Sequence, residues 1–147
     1  ELIDNTIGLR PGGWYTVYRS ERVHRLQTAN AMHAVCMANR LFMGESGTPA
    51  LLDGAAIQVR RLPVWGRHHT YRVYYAMLAL FQVGGDPWRT WNRHVSAMLV
   101  EHQRQDGDFK GSWDVGRGRG DETGRVYATS LCCLTLEVYY RYAAIYR

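Results

Sequence analysis

The sequence predicts an all-α fold of stacked helices, and three observations carry that expectation. Apolar residues recur at helical spacing in five segments, and no stretch shows the two-residue alternation of a half-buried strand. Glycine and proline stand where such helices should stop and start. Part of the pattern also returns in altered form. Met43-Gly44 and Val83-Gly84 close helices forty residues apart, and Leu78-Ala79-Leu80 overlays Leu134-Thr135-Leu136 fifty-six residues later. A unit of helix, loop and helix cannot bury both its faces alone, so its recurrence implies a stacked array.

Residues 1–20 read as an N-terminal loop segment, because Pro11-Gly12-Gly13 are turn residues and Trp14-Tyr15 are aromatics suited to packing over a helix end. Residues 21–147 form the helical domain. Its first helix is expected over 21–43, with Leu26, Ala29, Met32, Ala34, Cys36, Met37, Leu41 and Phe42 in period and Gly44 as the stop. Thr48 caps the second helix and Pro49 takes its first position, where a missing N–H costs nothing. Leu51, Leu52, Ala55, Ile57, Val59 and Leu62 carry that helix to Pro63. The third runs from Tyr71 to Val83 and closes at Gly84-Gly85. Asp86-Pro87 opens the fourth, which passes through Trp88, Trp91, Val95, Met98 and Leu99 to about Gln105. A glycine-rich loop over 106–124 leads to the fifth and most apolar helix, from Arg125 to about Tyr146.

A chain of 147 residues with 46% hydrophobic content is long enough for one domain with a real core, and too apolar for disorder. Ten tyrosines and five tryptophans suit half-buried positions, with the ring packed and the polar tip satisfied. The formal charge is +5 and Lys110 is the single lysine, but the arginines are dispersed along the chain. Only Arg117, Arg119 and Arg125 gather loosely, so a nucleic-acid partner is not expected. Cys36, Cys132 and Cys133 are odd in number and lie in apolar runs, which suits small hydrophobes rather than a disulfide framework. No apolar run reaches the length of a transmembrane segment.

The segment Tyr74-Tyr75-Ala76-Met77-Leu78-Ala79-Leu80-Phe81-Gln82-Val83-Gly84-Gly85 resembles a repeat of the squalene cyclase and protein prenyltransferase superfamily, as does the stretch from Gly124 to Tyr142. The likeness extends to bacterial proteins carrying prenyltransferase and squalene oxidase repeats, and it covers about Arg22 to Arg147. Gln105, Gly111 and Trp113 fit the family's Gln-Gly-Trp motif, which there ties an outer helix to the next inner one. The resemblance implies an (α/α) toroid-type helical repeat, here a partial toroid of about five main helices and the C-terminal portion of a full one. The first, third and fifth helices would be inner, and the second and fourth outer. The family's catalytic motifs do not carry over. The chain has no Asp-x-Asp-Asp, no matching zinc triad and no Cys-Gly-Glu-Gln thioester motif.

Candidate binding residues follow from position. His68-His69 precede the third helix, where Arg67, Arg72 and free helix amides would favour an anion, or they form a solvated loop. Tyr71, Tyr74, Tyr75 and Tyr127 cluster at the starts of two inner helices and could line a cavity for an apolar or cationic ligand, or simply pack the helices together. His33 and Cys36 stand three apart on one helix, but two ligands do not make a metal site, so packing is the expected role. Asp106, Asp108, Asp114, Asp121 and Glu122 miss the EF-hand spacing and read as a solvated loop. Glu137 and Arg141 fit a surface pair at i,i+4. No catalytic residue, metal or other cofactor is implied. The expected function is a non-catalytic helical repeat module that binds a partner protein or an apolar ligand. The alternative is part of an isoprenoid-acting enzyme whose catalytic residues lie outside this chain.

Overall fold

The computed structural model describes residues 26–67, 70–115 and 124–141, with side chains from residue 34 onward. The segment 1–20 and His68-His69 lie outside the described residues, as does the side chain of His33. Five α-helices follow one another: α1 Leu26–Phe42, α2 Pro49–Arg60, α3 Thr70–Val83, α4 Gly85–Glu101 and α5 Gly124–Arg141. The described residues contain no strand.

The helix starts and stops have local causes. Gly44, at φ 96°, takes the left-handed position just past α1, and the Arg40 guanidinium holds both oxygens of Glu45 at 2.7 and 2.9 Å across that turn. Thr48 caps α2 as expected, its hydroxyl accepting from the Leu51 amide at 3.4 Å, with Pro49 at the first position. That helix stops at Arg60 rather than at Pro63, because Leu62 precedes a proline and is kept out of the helical region. The chain passes from α3 to α4 through the single residue Gly84, at φ 71°. Here α4 begins at Gly85, one residue before the expected Asp86. Asp86 pairs with Arg89 in the first turn instead of capping.

Packing arranges the helices in two rows. Helix α3 touches all four others, with α1 and α5 on its flanks and α2 and α4 against it on another side. Its sequence explains the central place. Val73 and the whole run from Ala76 to Gln82 are buried, and a helix that is apolar nearly all round belongs inside. Helix α4 instead buries one stripe, Trp88, Trp91, Val95, Met98 and Leu99, and leaves the opposite side to solvent. Contacts thus link α1, α3 and α5 in one row, with α2 and α4 packed against it.

One charged side chain ties the rows together. Arg72 is buried, and donates from Nε to Gln58 Oε1 at 3.1 Å and from Nη2 to the Arg61 carbonyl at 2.6 Å. Its guanidinium carbon lies 5.5 Å from the centre of the Trp91 ring. Burial, with a smaller push from Arg61, pulls its pKa down to about 10. The guanidinium therefore staples α3 to α2 and α4, and does not face an anion beside residues 68–69 as the sequence suggested. The pull of the interior comes from Gln58, which is itself buried and supplies an acceptor.

Candidate functional site

Three of the four candidate tyrosines, Tyr71, Tyr74 and Tyr75, contact one another on α3. Arg72 and Val73 point towards α2, α4 and α5, where Arg72 meets Gln58 and Val73 borders a small space shared with Leu99 and Leu131. At 3.6 residues per turn, Tyr71, Tyr74 and Tyr75 then lie on the side of α3 away from α2 and α4. All three are half-buried. The Tyr71 and Tyr75 rings are 4.6 Å apart and tilted by 52°, and Tyr74 meets Tyr75 edge-on at 5.3 Å. Such offset and edge-on pairs add attraction beyond burial alone. From α5, Tyr127 lies near enough to Tyr75 to feel its charge. Its phenol is raised above the usual range, mainly by burial and to a smaller extent by Tyr75. Tyr127 is nonetheless 36% exposed, so the cluster presents an aromatic surface as well as a packed interior.

The turn after α4 is built around Trp113. Its indole is buried, and Nε1 donates to the Leu99 carbonyl at 2.7 Å, while its backbone amide donates to Thr129 Oγ1 at 3.2 Å. One residue thus contacts the last turn of α4 and the first turns of α5. Gly111, at φ 83°, closes the turn, with its amide on the Arg104 carbonyl at 2.8 Å and its carbonyl accepting from Gln103 Nε2 at 2.9 Å. Gln105 is exposed, and its side chain donates to the Gln103 carbonyl two residues back at 3.2 Å. The bond across the turn comes from Gln103 because α4 ends at Glu101, four residues earlier than expected. Arg104 also pairs its backbone with Ser112, which draws 103–105 out of the helix and into the turn.

Charge fixes this turn to α5. Arg104 bonds Asp106 at 2.9 Å and Asp114 at 3.2 Å, and Asp114 also pairs with Arg125, whose guanidinium lies 4.2 Å over the Phe109 ring. The Asp114 carboxyl is held below its usual range, first by the Arg125 bond and then by the Arg104 bond. Asp106 and Asp114 are therefore engaged by arginines, while Asp121 and Glu122 lie outside the described residues. Among the described residues no three His, Cys, Asp or Glu side chains are placed to hold a metal ion. Cys36 and Cys132 are buried thiols, both raised by burial, Cys132 to about 12, and Cys133 is exposed. Glu137 and Arg141 form the expected surface pair at 3.1 Å.

A groove lies where no sequence motif pointed. The loop after α2 folds against α4 and leaves a groove of about 700 Å³. His94 donates from Nε2 to the Pro63 carbonyl at 2.7 Å, and Trp65 stacks on His102 at 4.7 Å and 25°. His102 is itself fixed by donating from Nδ1 to the Met98 carbonyl at 2.9 Å. These two contacts pin the loop to the helix. Arg93 and Glu101 border the groove on its solvent side, and Ala97 and Met98 lie between them. The available hint was two histidines, His94 within α4 and His102 just past its end, beside an exposed Arg93 and Glu101.

No protein-family model, curated protein or solved structure matches this chain. The described residues include no helix long and apolar enough to cross a membrane.

Proposed function

We propose that this chain is a non-catalytic helical repeat module of the (α/α) toroid type, whose α1–α3–α5 row binds an apolar ligand through its tyrosine face. The observation that carries the reading is the cluster of Tyr71, Tyr74, Tyr75 and Tyr127, drawn from two helices onto the side that α2 and α4 leave uncovered. Aromatic rings give broad apolar contact at low entropic cost, and their faces also attract a cationic group. Support for the toroid type comes from the two-row packing and from Trp113, which joins an outer helix to the next inner one.

Titration of the protein with farnesol, followed by NMR of the tyrosine ring resonances, tests this. Shifts confined to the four tyrosines, and binding weakened tenfold or more by Tyr75→Ala or Tyr127→Ala, are expected. Saturable binding that ignores both substitutions would place the ligand elsewhere. Product formed from farnesyl diphosphate or squalene by this chain would replace the binding role with an enzymatic one.

A further inference from the structure

Helix α5 turns two large apolar side chains straight into solvent. Val126 and Tyr140 are 82% and 86% exposed, more than any other large apolar side chain among the described residues. Both stand seven residues from Cys133, which is exposed too. Seven residues bring an α-helix back to within about 20°, so the three share one stripe at steps of about 10 Å. Ser130 and Glu137, also exposed, fill the spaces between them. The buried residues Ala128, Leu131, Cys132, Thr135 and Val138 lie on the opposite side, against the rest of the fold. Tyr140 is steadied by Tyr139, whose ring meets it edge-on at 5.2 Å.

We propose that this stripe pairs with the same stripe of a second copy of the chain, antiparallel about a two-fold axis at Cys133. A two-fold interface requires a patch to match itself reversed. Read from either end, the stripe runs apolar, polar, thiol, polar, apolar. Reversal lays each Val126 on the other copy's Tyr140, brings the two Cys133 side chains together, and sets Glu137 beside the other copy's Ser130. Parallel pairing would instead place Glu137 directly against Glu137, like charge on like charge. The self-matching order thus selects a second copy, and Glu137 selects its direction. A single helix pair about 27 Å long is small for a protein interface, so the association is weak. Tyr127 sits about 100° round α5 from Val126, which keeps the stripe apart from the tyrosine face, and either can stand if the other fails.

The test is sedimentation of the full chain in reducing buffer, up to millimolar concentration. The wild type reaches a monomer–dimer equilibrium, and Tyr140→Arg abolishes it. Ser130→Lys sets an opposite charge against Glu137 twice in each dimer, and tightens association about threefold or more. A gain of association cannot come from an unfolded variant. Glutathione disulfide then reports the register. Two Cys133 thiols lose two protons and two electrons to form a bridge, and the oxidant leaves as two glutathione thiols. The wild type gives a covalent dimer, whereas Cys133→Ser associates as before without the bridge. A wild type that stays monomeric, association that survives Tyr140→Arg, no tightening by Ser130→Lys, or oxidation that stops at a glutathione adduct would each overturn the proposal.

Discussion

Two buried tryptophans differ in how the indole N–H is satisfied, and the same substitution at each tests that difference. Trp113 donates its indole N–H to the Leu99 carbonyl at 2.7 Å, whereas Trp91 is fully buried and its Nε1 finds no protein acceptor among the described residues. The Leu99 carbonyl belongs to the last turn of α4, where carbonyls lack helical partners, and Gln103, four residues on, gives its amide to Val100 instead. Trp113 therefore acts as a remote cap. Trp113→Phe keeps most of the ring but strands that carbonyl, at a cost of about 1–3 kcal/mol beyond the lost packing. Trp91→Phe loses similar packing but removes a donor that was never satisfied. The difference between the two variants should thus be about 1–3 kcal/mol, with Trp113→Phe the less stable. Trp113→Ala should cost about 3–5 kcal/mol, a large share of a domain's ~5–15 kcal/mol. At roughly 2–4 °C per kcal/mol for a chain of this length, its melting temperature falls by about 6–20 °C. Urea denaturation and thermal melting of the three variants measure all of this. Equal stability for the two phenylalanine variants, or the reverse order, would refute the capping role.

Three further outcomes follow from the same geometry. Arg72→Lys cannot reach both Gln58 Oε1 and the Arg61 carbonyl, so urea denaturation should show a loss of about 1.5–3 kcal/mol; an unchanged midpoint would mean the staple contributes nothing. A chromogenic disulfide reagent at pH 8 should modify Cys133 quickly and spare Cys36 and Cys132, whose thiolates burial suppresses, until denaturant exposes all three. Asp114 is depressed in the fold, so its ion pairs stabilise above the ordinary carboxylate value of 3.8 and are lost as pH falls through the lower folded value. The resulting acid-dependent loosening of the turn is small, since the carboxylate is 44% exposed and screened. Amide exchange in residues 104–114 should report it, and Asp114→Asn should abolish it.

Local chemistry was legible in the sequence and long-range chemistry was not. Gly44, Thr48-Pro49 and Gly84 mark helix ends through backbone preferences that act within a few residues. Where a helix end depends on a distant partner, the reading drifted. The end of α4 is set by pairing between Arg104 and Ser112, which no helical period records. The tyrosine face was readable because 71, 74 and 75 share one side of a helix by arithmetic. The groove was not, since His94 and Pro63 meet across thirty-one residues. Arg72 shows the same limit. An arginine at a helix start looks solvent-facing until a buried glutamine on another helix is found to receive it.

The one-residue junction at Gly84 bears on how the chain folds. With a single residue between them, α3 and α4 can find each other with almost no loop to close, so their pairing precedes contacts that need longer closures. That pair already contains Trp88 packed edge-on against Phe81 at 5.1 Å. Because α3 is also the helix that every other one touches, the earliest pair to form supplies the surface on which α1, α2 and α5 assemble. The order of assembly is thus written into a glycine whose left-handed backbone lets two helices meet without a loop.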